Sequence, residues 1–481
     1  MRMTGDEYRE SIRDGRTVLL DGERVTDVPN HPAFRHAVDL RARIYDMAHE
    51  DRYAAVMTYE DAGGTHAITN LGPRSKDDLR QKRDWVRLVM RDAGGLALRM
   101  GDETVGALWS LLDGREMLDA VDSRFGENIA AQVERVRIED RFVVSANTDP
   151  KGDRSLPPQE QDPDMLLHVV GETDAGIVVR GAKYETGAAY AHEAFVKPTI
   201  ANWGNETLSD YALGFLCPMN LSGLKHICRS PLSRGLDPLD YPISARFDEV
   251  DSLIVFDNVT IPWEYVFFFR HTKAAAFVRA MLHRYTGFPF VERMIHLADM
   301  LIGAASFNAR QTGLDKNPAV REKLARMIVY REGINAFQTA SVELAEESTA
   351  GYMMPHQSTF YAGRAMACAE LPAMMHLTRE LVGGQICLTP DHRSFDEGES
   401  AGWLKKYYTV NERWGAEDRR RLLAFARDLV NSSHAGHRIS YHLFAQAPPY
   451  AHLNALYQTF DWEAPLDFVK KAAGLSDRVM S

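Results

Sequence analysis

The chain has 481 residues, of which 45% are hydrophobic and 26% charged, a globular composition long enough to bury two or three domain cores. The formal net charge of −11 and the lack of a dense Lys/Arg run exclude a nucleic-acid partner, because binding a polyanion needs a basic surface. Four scattered cysteines without a C-x-x-C pair, and no apolar run near the ~20 residues that span a bilayer, predict a soluble cytoplasmic protein without a disulfide framework or membrane segment.

The first region, 1–141, is predicted to be a helical domain. Apolar residues between Phe34 and Met47 recur at spacings of three and four, which is typical of a buried helix face. The same rhythm continues over 79–122, while Thr17–Val25 has the pattern of a short extended segment. We therefore expect helices with one brief β excursion.

The middle region, 142–270, changes to a β-rich pattern. Short runs of β-branched and aromatic residues alternate with turn sequences and have no helical stretch between them. The runs are Leu166–Val170, Gly176–Val179, Ala194–Lys197, Tyr211–Phe215 and Ser252–Phe256. Strands at this spacing favour a small antiparallel barrel or sandwich over a parallel sheet.

From 271 to 481 the pattern is helical again. Three long helices are predicted at His296–Ala309, Pro318–Thr349 and Phe360–Leu381, each with an apolar face wide enough to pack in a bundle. The order of helices, strands and helices predicts a mostly helical α+β protein. Its expected domains are 1–141, 142–270 and 271–481.

Common cofactor and catalytic motifs are missing from the sequence. No G-x-G-x-x-G follows a predicted strand and no Walker sequence occurs, so neither a Rossmann dinucleotide site nor a P-loop is predicted. There is also no G-x-S-x-G and no H-E-x-x-H. His434 and His437 lie three residues apart, but no third ligand completes a set, so we predict no metal site.

Three segments could carry chemistry. Ser145–Ser155 is rich in hydroxyls and contains one arginine, Arg154, so it could hold a polar heterocycle or a pyrophosphate, although this composition is more often a solvated linker. Thr186 follows an apolar run and could offer its hydroxyl to a bound ring. Arg99 lies in an apolar stretch, where its charge needs matching. It either pairs with a structural carboxylate, the commoner case, or binds a substrate.

Several segments share one order along almost the whole chain. They are Glu7–Arg16, His31–Phe34, Asp153–Ser155 with Pro157 and Pro158, Leu167–Lys183, Ser244–Glu249, Phe256–Glu264 and Arg379–Gly384. Together they resemble the 4-hydroxyphenylacetate 3-monooxygenase family, the large component of two-component flavin hydroxylases. No single motif could produce a likeness of this extent.

The resemblance implies an acyl-CoA-dehydrogenase-like architecture: an N-terminal helical domain, a central antiparallel β-barrel and a C-terminal four-helix bundle, assembled as a homotetramer. It implies an oxygenase component that uses reduced FAD, supplied by a separate flavin reductase, and dioxygen. The expected substrate is a small aromatic compound, which could be a phenol, an indole or a related heteroaromatic, possibly carrier-bound.

The resemblance also implies site residues. Flavin contacts of the family fall on Ser145, Ala146, Asn147, Lys151, Gly152, Asp153, Arg154, Thr186, Gly436, His437 and Arg438. Substrate contacts fall on Arg99, Thr104, Ser145, Thr199 and Ile200. Arg99 is expected to anchor the substrate, and Ser145 is expected to hydrogen-bond its heteroatom.

Two departures from the family leave alternatives open. Ser145 stands where phenol hydroxylases of the family have a histidine, and a serine is a poor base at neutral pH. Arg99 is followed by Met-Gly-Asp-Glu-Thr, which lacks a tyrosine that the family uses for substrate. The alternatives are a 4-hydroxybutyryl-CoA dehydratase-like enzyme with an iron–sulfur cluster, an acyl-CoA dehydrogenase-like flavoenzyme, and a scaffold protein that has kept only the fold.

Overall fold

The computed structural model describes residues 2–96, 99–153, 155–198, 206–281, 283–444 and 449–475. Helices dominate the first part of the chain. The elements are α1 (Gly5–Ser11), β1 (Thr17–Leu20), β2 (Glu23–Val25), α2 (Arg35–Met47), α3 (Ala54–Met57), β3 (Thr58–Asp61), β4 (Gly64–Ala67), α4 (Lys76–Ala93), α5 (Asp102–Asp113), α6 (Arg115–Asp119) and α7 (Ser123–Glu139). Helix α4 shows how local sequence sets the ends of a helix. Ser75 and Asp78 form a capping box at its start, and Gly94 ends it with φ +65°.

The middle of the chain forms most of the strands. They are β5 (Val143–Ala146), β6 (His168–Thr173), β7 (Gly176–Thr186), β8 (Glu193–Val196), β9 (Leu213–Pro218), β10 (Leu224–Cys228), β11 (Asp251–Pro262) and β12 (Val266–Phe269), with α8 (Ser244–Phe247) before β11. All five strands predicted from the sequence are present, with shifted ends. Strands β5, β10 and β12 had not been predicted.

The strands lie in two open sheets. One has the order β2-β1-β10-β11-β7-β6 and the other β12-β9-β8-β5. A single bridge between Thr148 and Tyr184 joins the edge of the second sheet to β7. The five predicted strands pair with one another in antiparallel fashion, as expected. Two pairs that include a strand outside this set are parallel: β1 with β10 and β5 with β8. Both β1 and β5 arrive from the helical part of the chain, so no hairpin forces them to be antiparallel.

The last part of the chain is helical. Its elements are α9 (Thr272–Met281), α10 (His283–Gln311), α11 (Pro318–Glu343), β13 (Glu346–Glu347), β14 (Met353–Met354), α12 (Gln357–Val382), α13 (Gln385–Leu388), α14 (Arg393–Asp396), α15 (Glu399–Tyr408), α16 (Ala416–Asn431), α17 (Ser433–Phe444), α18 (Pro449–Thr459) and α19 (Glu463–Ala473). The three predicted long helices are confirmed. The second was predicted too long, because Glu346–Glu347 pairs as a short strand after α11 ends.

Two hydrophobic cores hold the mostly helical α+β fold together. One core joins α1, α2, α5 and α7 to the two sheets, with Phe142, Phe195 and Phe256 fully buried. The other packs α4 against the C-terminal helices around Trp85 and Met294. Helix α5 enters the first core and begins beside α10, so its N-terminus lies where the two cores meet. None of the described helices is long and apolar enough to cross a membrane.

Two glycines test how tightly the cores are packed. A Cβ on Gly214 in β9 would lie 2.2 Å from Cε1 of Phe268, whereas a Cβ on the exposed Gly303 in α10 would meet no atom of the described ranges within 4 Å. Gly214→Ala should therefore lower the free energy of unfolding by about 1–3 kcal/mol through overpacking. Gly303→Ala should raise it by up to about 1 kcal/mol, because alanine favours helix. Urea unfolding measures both, and equal effects of the two changes would contradict this packing.

Candidate active site

Ser145 and Thr104 meet at the junction of the sheets and the helices. Ser145 lies near the end of β5, and Thr104 lies in the first turn of α5. Their hydroxyl oxygens are 3.0 Å apart and buried. The backbone N–H of Ser145 acts on the carboxyl group of Glu185 and lowers its pKa, against the larger effect of burial. The structure therefore brings together two of the predicted substrate residues and adds a carboxylate beside them.

Arg99 is surrounded by carboxylates. Its Nε lies 3.0 Å from Oε1 of Glu185, and its Nη1 lies 3.5 Å from Oε1 of Glu103. Its backbone N–H donates to Oε1 of Glu249 at 2.8 Å. The guanidinium is 5.6 Å from the ring centre of Tyr441. Of the two interpretations of Arg99, the pairing with protein carboxylates is thus the one that the side chains adopt.

The charged contacts continue from α5 to α10. Arg293 donates to both oxygens of Glu103, at 3.1 and 3.2 Å, and to Asp102. Asp102 and Glu103 are the first two residues of α5, where the N-terminal end of the helix dipole favours negative charge. Asp102, Glu103, Glu185 and Arg293 are buried, and the Arg99 side chain is only 9% exposed. These five side chains form one layer, the charged layer.

The pKa values of the carboxyl groups in the charged layer shift in opposite directions, because burial raises all of them and the neighbouring charges differ. It raises the pKa of Glu185 to about 8, although Arg99 opposes this, while Glu103 and Asp251 add to the rise. Burial also raises the pKa of Asp102 to about 8, against the effect of Arg293. For Glu103 the guanidinium of Arg293 and the hydrogen bond from Asp102 outweigh burial and lower the pKa to about 2. The site therefore holds both an ionised and a protonatable carboxyl group.

Thr186 and His437 are joined by one carboxylate, that of Asp251. The register of β7 and β11 places Thr186 opposite Asp251, and the Thr186 hydroxyl donates to it. His437 Nε2 lies 2.8 Å from Asp251 Oδ2, and Nε of Arg229 donates to the same oxygen at 2.7 Å. These three partners together hold the pKa of Asp251 well below its ordinary value, against the effect of burial. Two residues predicted for the cofactor thus meet, although they are 251 positions apart.

Arg438 is buried with part of its guanidinium unused. Nη2 donates to the backbone carbonyl of Leu96, and Nε lies 3.4 Å from His434 Nε2. Nη1 is buried and has no hydrogen-bond partner among the described residues. Burial lowers the pKa of Arg438 to about 10. Gly436, two residues before it, is exposed, and a Cβ added there would meet no atom within 4 Å among the described residues.

The predicted binding loop divides into a buried and an exposed part. Ala146 is buried, and Oδ1 of Asn147 is buried without a hydrogen-bond partner among the described residues. Lys151, Gly152 and Asp153 are exposed. Three further predicted residues, Arg154, Thr199 and Ile200, lie outside the described residues.

Sequence reasoning did not find several residues of the site. Lys183 anchors the start of the loop through Asp149 and the carbonyl of Asn147 at 3.3 Å. Glu185 and Arg293 can be recognised as site residues only in the folded structure, because the packing of the sheet and α10 against α5 brings them together. A signal existed for Glu103, because Arg99 and Glu103 have the i,i+4 spacing of an ion pair. Glu185, which directly precedes the predicted Thr186, carried no such signal.

Side chains that could together bind a metal ion lie away from the charged layer. Within the described ranges, one set of three His, Cys, Asp or Glu side chains is close enough to share an ion, Asp237, Asp240 and His392. It contains no cysteine, and Arg420 Nη1 lies 3.3 Å from Asp240. The four cysteines are free and lie in β9, β10, α12 and α13. They do not provide the three clustered thiolates that an iron–sulfur cluster needs.

The chain matches one family over nearly its whole length. The family model described as 4-hydroxyphenylacetate 3-hydroxylase N terminal matches residues 4–268, and the C-terminal model of the same family matches residues 272–474. The 4-hydroxyphenylacetate 3-monooxygenase oxygenase component of Thermus thermophilus is 29% identical over 468 residues, which cover 96% of this chain and 95% of that protein.

Further relatives act on other compounds. A Streptomyces globisporus monooxygenase of a carrier-bound 3-amino-3-(3-chloro-4-hydroxyphenyl)propanoyl group is 31% identical, over 90% of this chain and 83% of that protein. The 4-hydroxybutyryl-CoA dehydratase of Clostridium aminobutyricum is 29% identical, over 91% and 92%. The solved structure of a 4-hydroxyphenylacetate 3-monooxygenase oxygenase component with FAD and 4-hydroxyphenylacetate superposes with a TM-score of 0.91 at 28% identity, covering 98% of both chains.

The raised pKa of Glu185 predicts a pH-dependent stability. Between the ordinary carboxyl pKa of 4.5 and about 8, the folded chain keeps a proton that the unfolded chain has lost. The contribution of Glu185 to the free energy of unfolding therefore falls as pH rises through this window and is constant above it. Glu185→Gln removes this dependence, so the unfolding free energy of the variant minus that of the wild type should increase from pH 5.5 to pH 8.

Urea unfolding at several pH values measures this difference. Glu127→Gln is a matched control, because Glu127 is exposed on α7, and its difference from wild type should stay flat over the same pH values. A flat or falling difference for Glu185→Gln would show that Glu185 ionises normally in the folded protein.

Proposed function

Because the chain belongs to the 4-hydroxyphenylacetate 3-hydroxylase family, we propose that it is the oxygenase component of a two-component monooxygenase. It takes reduced FAD from a separate reductase and oxygenates a small aromatic substrate with dioxygen. The observation that carries this proposal is the convergence of Ser145, Arg99, Thr186 and Arg438 on one site from three distant parts of the chain.

The residues present fit FAD. Arg438 Nη1 and Asn147 Oδ1 are a buried donor and a buried acceptor without partners in the described part of the chain, and buried polar atoms need partners. A Cβ added at Gly436, two residues before Arg438, would meet no atom within 4 Å among the described residues. Arg438, Asn147, Thr186 and His437 would hold the cofactor. When bound, reduced FAD supplies the electrons that activate dioxygen.

The residues of this chain position the substrate and handle its proton. The Ser145 and Thr104 hydroxyls can hydrogen-bond an oxygen or nitrogen on the ring. Ser145 is a poor base, but the nearby Glu185, whose pKa the Ser145 backbone influences, has a pKa of about 8. A carboxyl group with a pKa this close to neutral can exchange a proton with a ring O–H or N–H at working pH. Proton transfer at the site is therefore assigned to Glu185.

The finer architecture is also part of the proposal. The regions 1–141, 142–270 and 271–481 are taken as domains, with an acyl-CoA-dehydrogenase-like arrangement of a barrel and a four-helix bundle. The bridge between Thr148 and Tyr184, which links the two sheets, supports the barrel. The packing of α10 against α11, α12 and α16 supports the bundle. The four free cysteines agree with a cytoplasmic location, where thiols stay reduced.

An assay with reduced FAD tests the proposed function. The protein, chemically reduced FAD, dioxygen and a panel of phenols, indoles and arylamines should give a product that has gained one oxygen atom, detected by mass spectrometry. Product should depend on reduced FAD and on the protein. Absence of product from the whole panel, together with no measurable affinity for reduced FAD, would favour the scaffold alternative.

One variant tests the proposed FAD site. Arg438→Ala removes hydrogen bonds from a charged donor, so it should weaken reduced-FAD binding about 10- to 100-fold in an anaerobic fluorescence titration. Arg421→Ala is the matched control, because Arg421 is exposed on α16. Unchanged affinity in folded Arg438→Ala protein would place the cofactor elsewhere.

We also propose a homotetramer, which the exposed aromatic surface of the C-terminal helices supports. None of the residues of α19 is buried, and large apolar side chains are exposed along this part of the chain. They are Trp403, Tyr407, Tyr450, Tyr457, Phe460, Trp462 and Phe468. Exposed apolar side chains in this number favour association if they lie on one surface. Sedimentation velocity should give about four times the chain mass of 54.2 kDa, and Phe468→Glu with Tyr457→Glu should shift the protein to smaller species. A wild-type protein that sediments as a monomer would contradict the proposal.

A further inference from the structure

Tyr441 lies on the face of α17 that carries two of the proposed cofactor residues. Residues three and four positions apart in an α-helix share a face, so Tyr441 is on the same side of α17 as Arg438 and His437. Helix α17 contacts the segment that leads to α5. Arg438 donates to the carbonyl of Leu96, and the centre of the Tyr441 ring is 5.6 Å from Cζ of Arg99. Tyr441 therefore connects the cofactor residues of α17 with the charged layer.

The Tyr441 side chain is only partly covered by the protein. Tyr441 is partly exposed, although Arg438 and His442, its neighbours on α17, are buried. Within the described ranges, the one aromatic ring in contact with it is His442, whose ring meets it edge-on, with the centroids 5.6 Å apart and the planes at 84°. An aromatic side chain left partly uncovered beside buried charged groups offers an apolar surface on which another flat ring can stack.

This surface is uncharged at working pH. Burial raises the pKa of the Tyr441 hydroxyl above its ordinary range, and Glu103 and Glu249 raise it further, although Arg99 opposes them. The phenol therefore stays neutral. A flat ring can stack on it without bringing a further protein charge out of water, which would be costly.

The position of Tyr441 favours the cofactor over the substrate as the ring that it meets. The two hydroxyls proposed for the substrate, those of Ser145 and Thr104, lie on β5 and α5. Tyr441 lies on α17, within one helical turn of two residues proposed to hold FAD. The isoalloxazine of FAD is a flat tricyclic ring, which suits such a surface.

We propose that Tyr441 is a cofactor-contacting residue whose ring packs against the isoalloxazine ring of bound FAD. This inference rests on the proposed function and adds to its site a residue that the sequence did not indicate. Contact at this position holds the flavin ring beside Arg99, between α17 and the hydroxyls proposed for the substrate.

The fluorescence of bound oxidised FAD tests this contact. A tyrosine in van der Waals contact with an oxidised flavin quenches its fluorescence, because it gives an electron to the excited flavin and then takes it back. Phenylalanine has nearly the same shape but is not oxidised in this way. The full-length protein saturated with oxidised FAD should therefore show a subnanosecond fluorescence decay. In Tyr441→Phe this decay should be lost, and the fluorescence yield of bound FAD should rise severalfold.

The affinity for reduced FAD gives a second measurement. Tyr441→Ala removes the stacking surface and should weaken binding about fivefold in an anaerobic titration, whereas Tyr441→Phe keeps the ring and should bind within about twofold of the wild type. Tyr450→Phe is the matched control, because Tyr450 is exposed on α18. It should change neither the affinity nor the fluorescence decay.

Bound FAD with the same fluorescence decay in the wild type and in Tyr441→Phe would overturn the inference alone, and so would unchanged reduced-FAD affinity in folded Tyr441→Ala. A wild-type protein that binds FAD in neither redox state contradicts the proposed function, and the inference fails with it. If Tyr441→Ala does not fold, the comparison of the wild type with Tyr441→Phe still decides the proposal.

Discussion

The buried pairing of Arg99 with Glu185 and Glu103 is the constraint on which the site depends. A guanidinium inside a protein is stable only when carboxylates compensate for its lost hydration, and each carboxylate needs a cation in turn. Arg99 precedes α5, Glu185 is the next-to-last residue of β7, and Arg293, which balances Glu103, lies within α10. The requirement for paired charges therefore fixes the relative positions of a helix N-terminus, a strand end and a long helix.

The sequence predicted the elements well where the pattern is local. The five β-rich runs and the three long C-terminal helices are present, because periodicity depends only on near neighbours. The prediction failed where pairing with a distant segment of the chain determines the structure. Thr17–Val25 was recognised as extended, but its role at the edge of the six-stranded sheet depends on β10, about 200 residues later. Parallel pairing of β1 and of β5 could not be deduced for the same reason.

The candidate site shows the same division between what local sequence indicates and what distant contacts determine. Ser145, Thr104, Thr186, His437 and Arg438 were named from resemblance, and the structure brings them together. Glu185, Arg293 and Tyr441 were missed, because nothing in their neighbouring sequence marks them and their role arises from contacts across 86 or more positions. The exposed loop residues Lys151, Gly152 and Asp153 show the opposite case, since they were predicted as contacts and make few with the rest of the protein.

The ends of three elements set the polarity of this region. The N-terminus of α5 favours the carboxylates of Asp102 and Glu103, and the first residue of β11 places Asp251 between Thr186 and His437. Helix α17 contributes the opposite charge through Arg438, whose guanidinium keeps one nitrogen unused in the described structure. Acidic side chains are thus concentrated toward α5 and the sheet, and a buried guanidinium nitrogen without a hydrogen-bond partner among the described residues lies on α17.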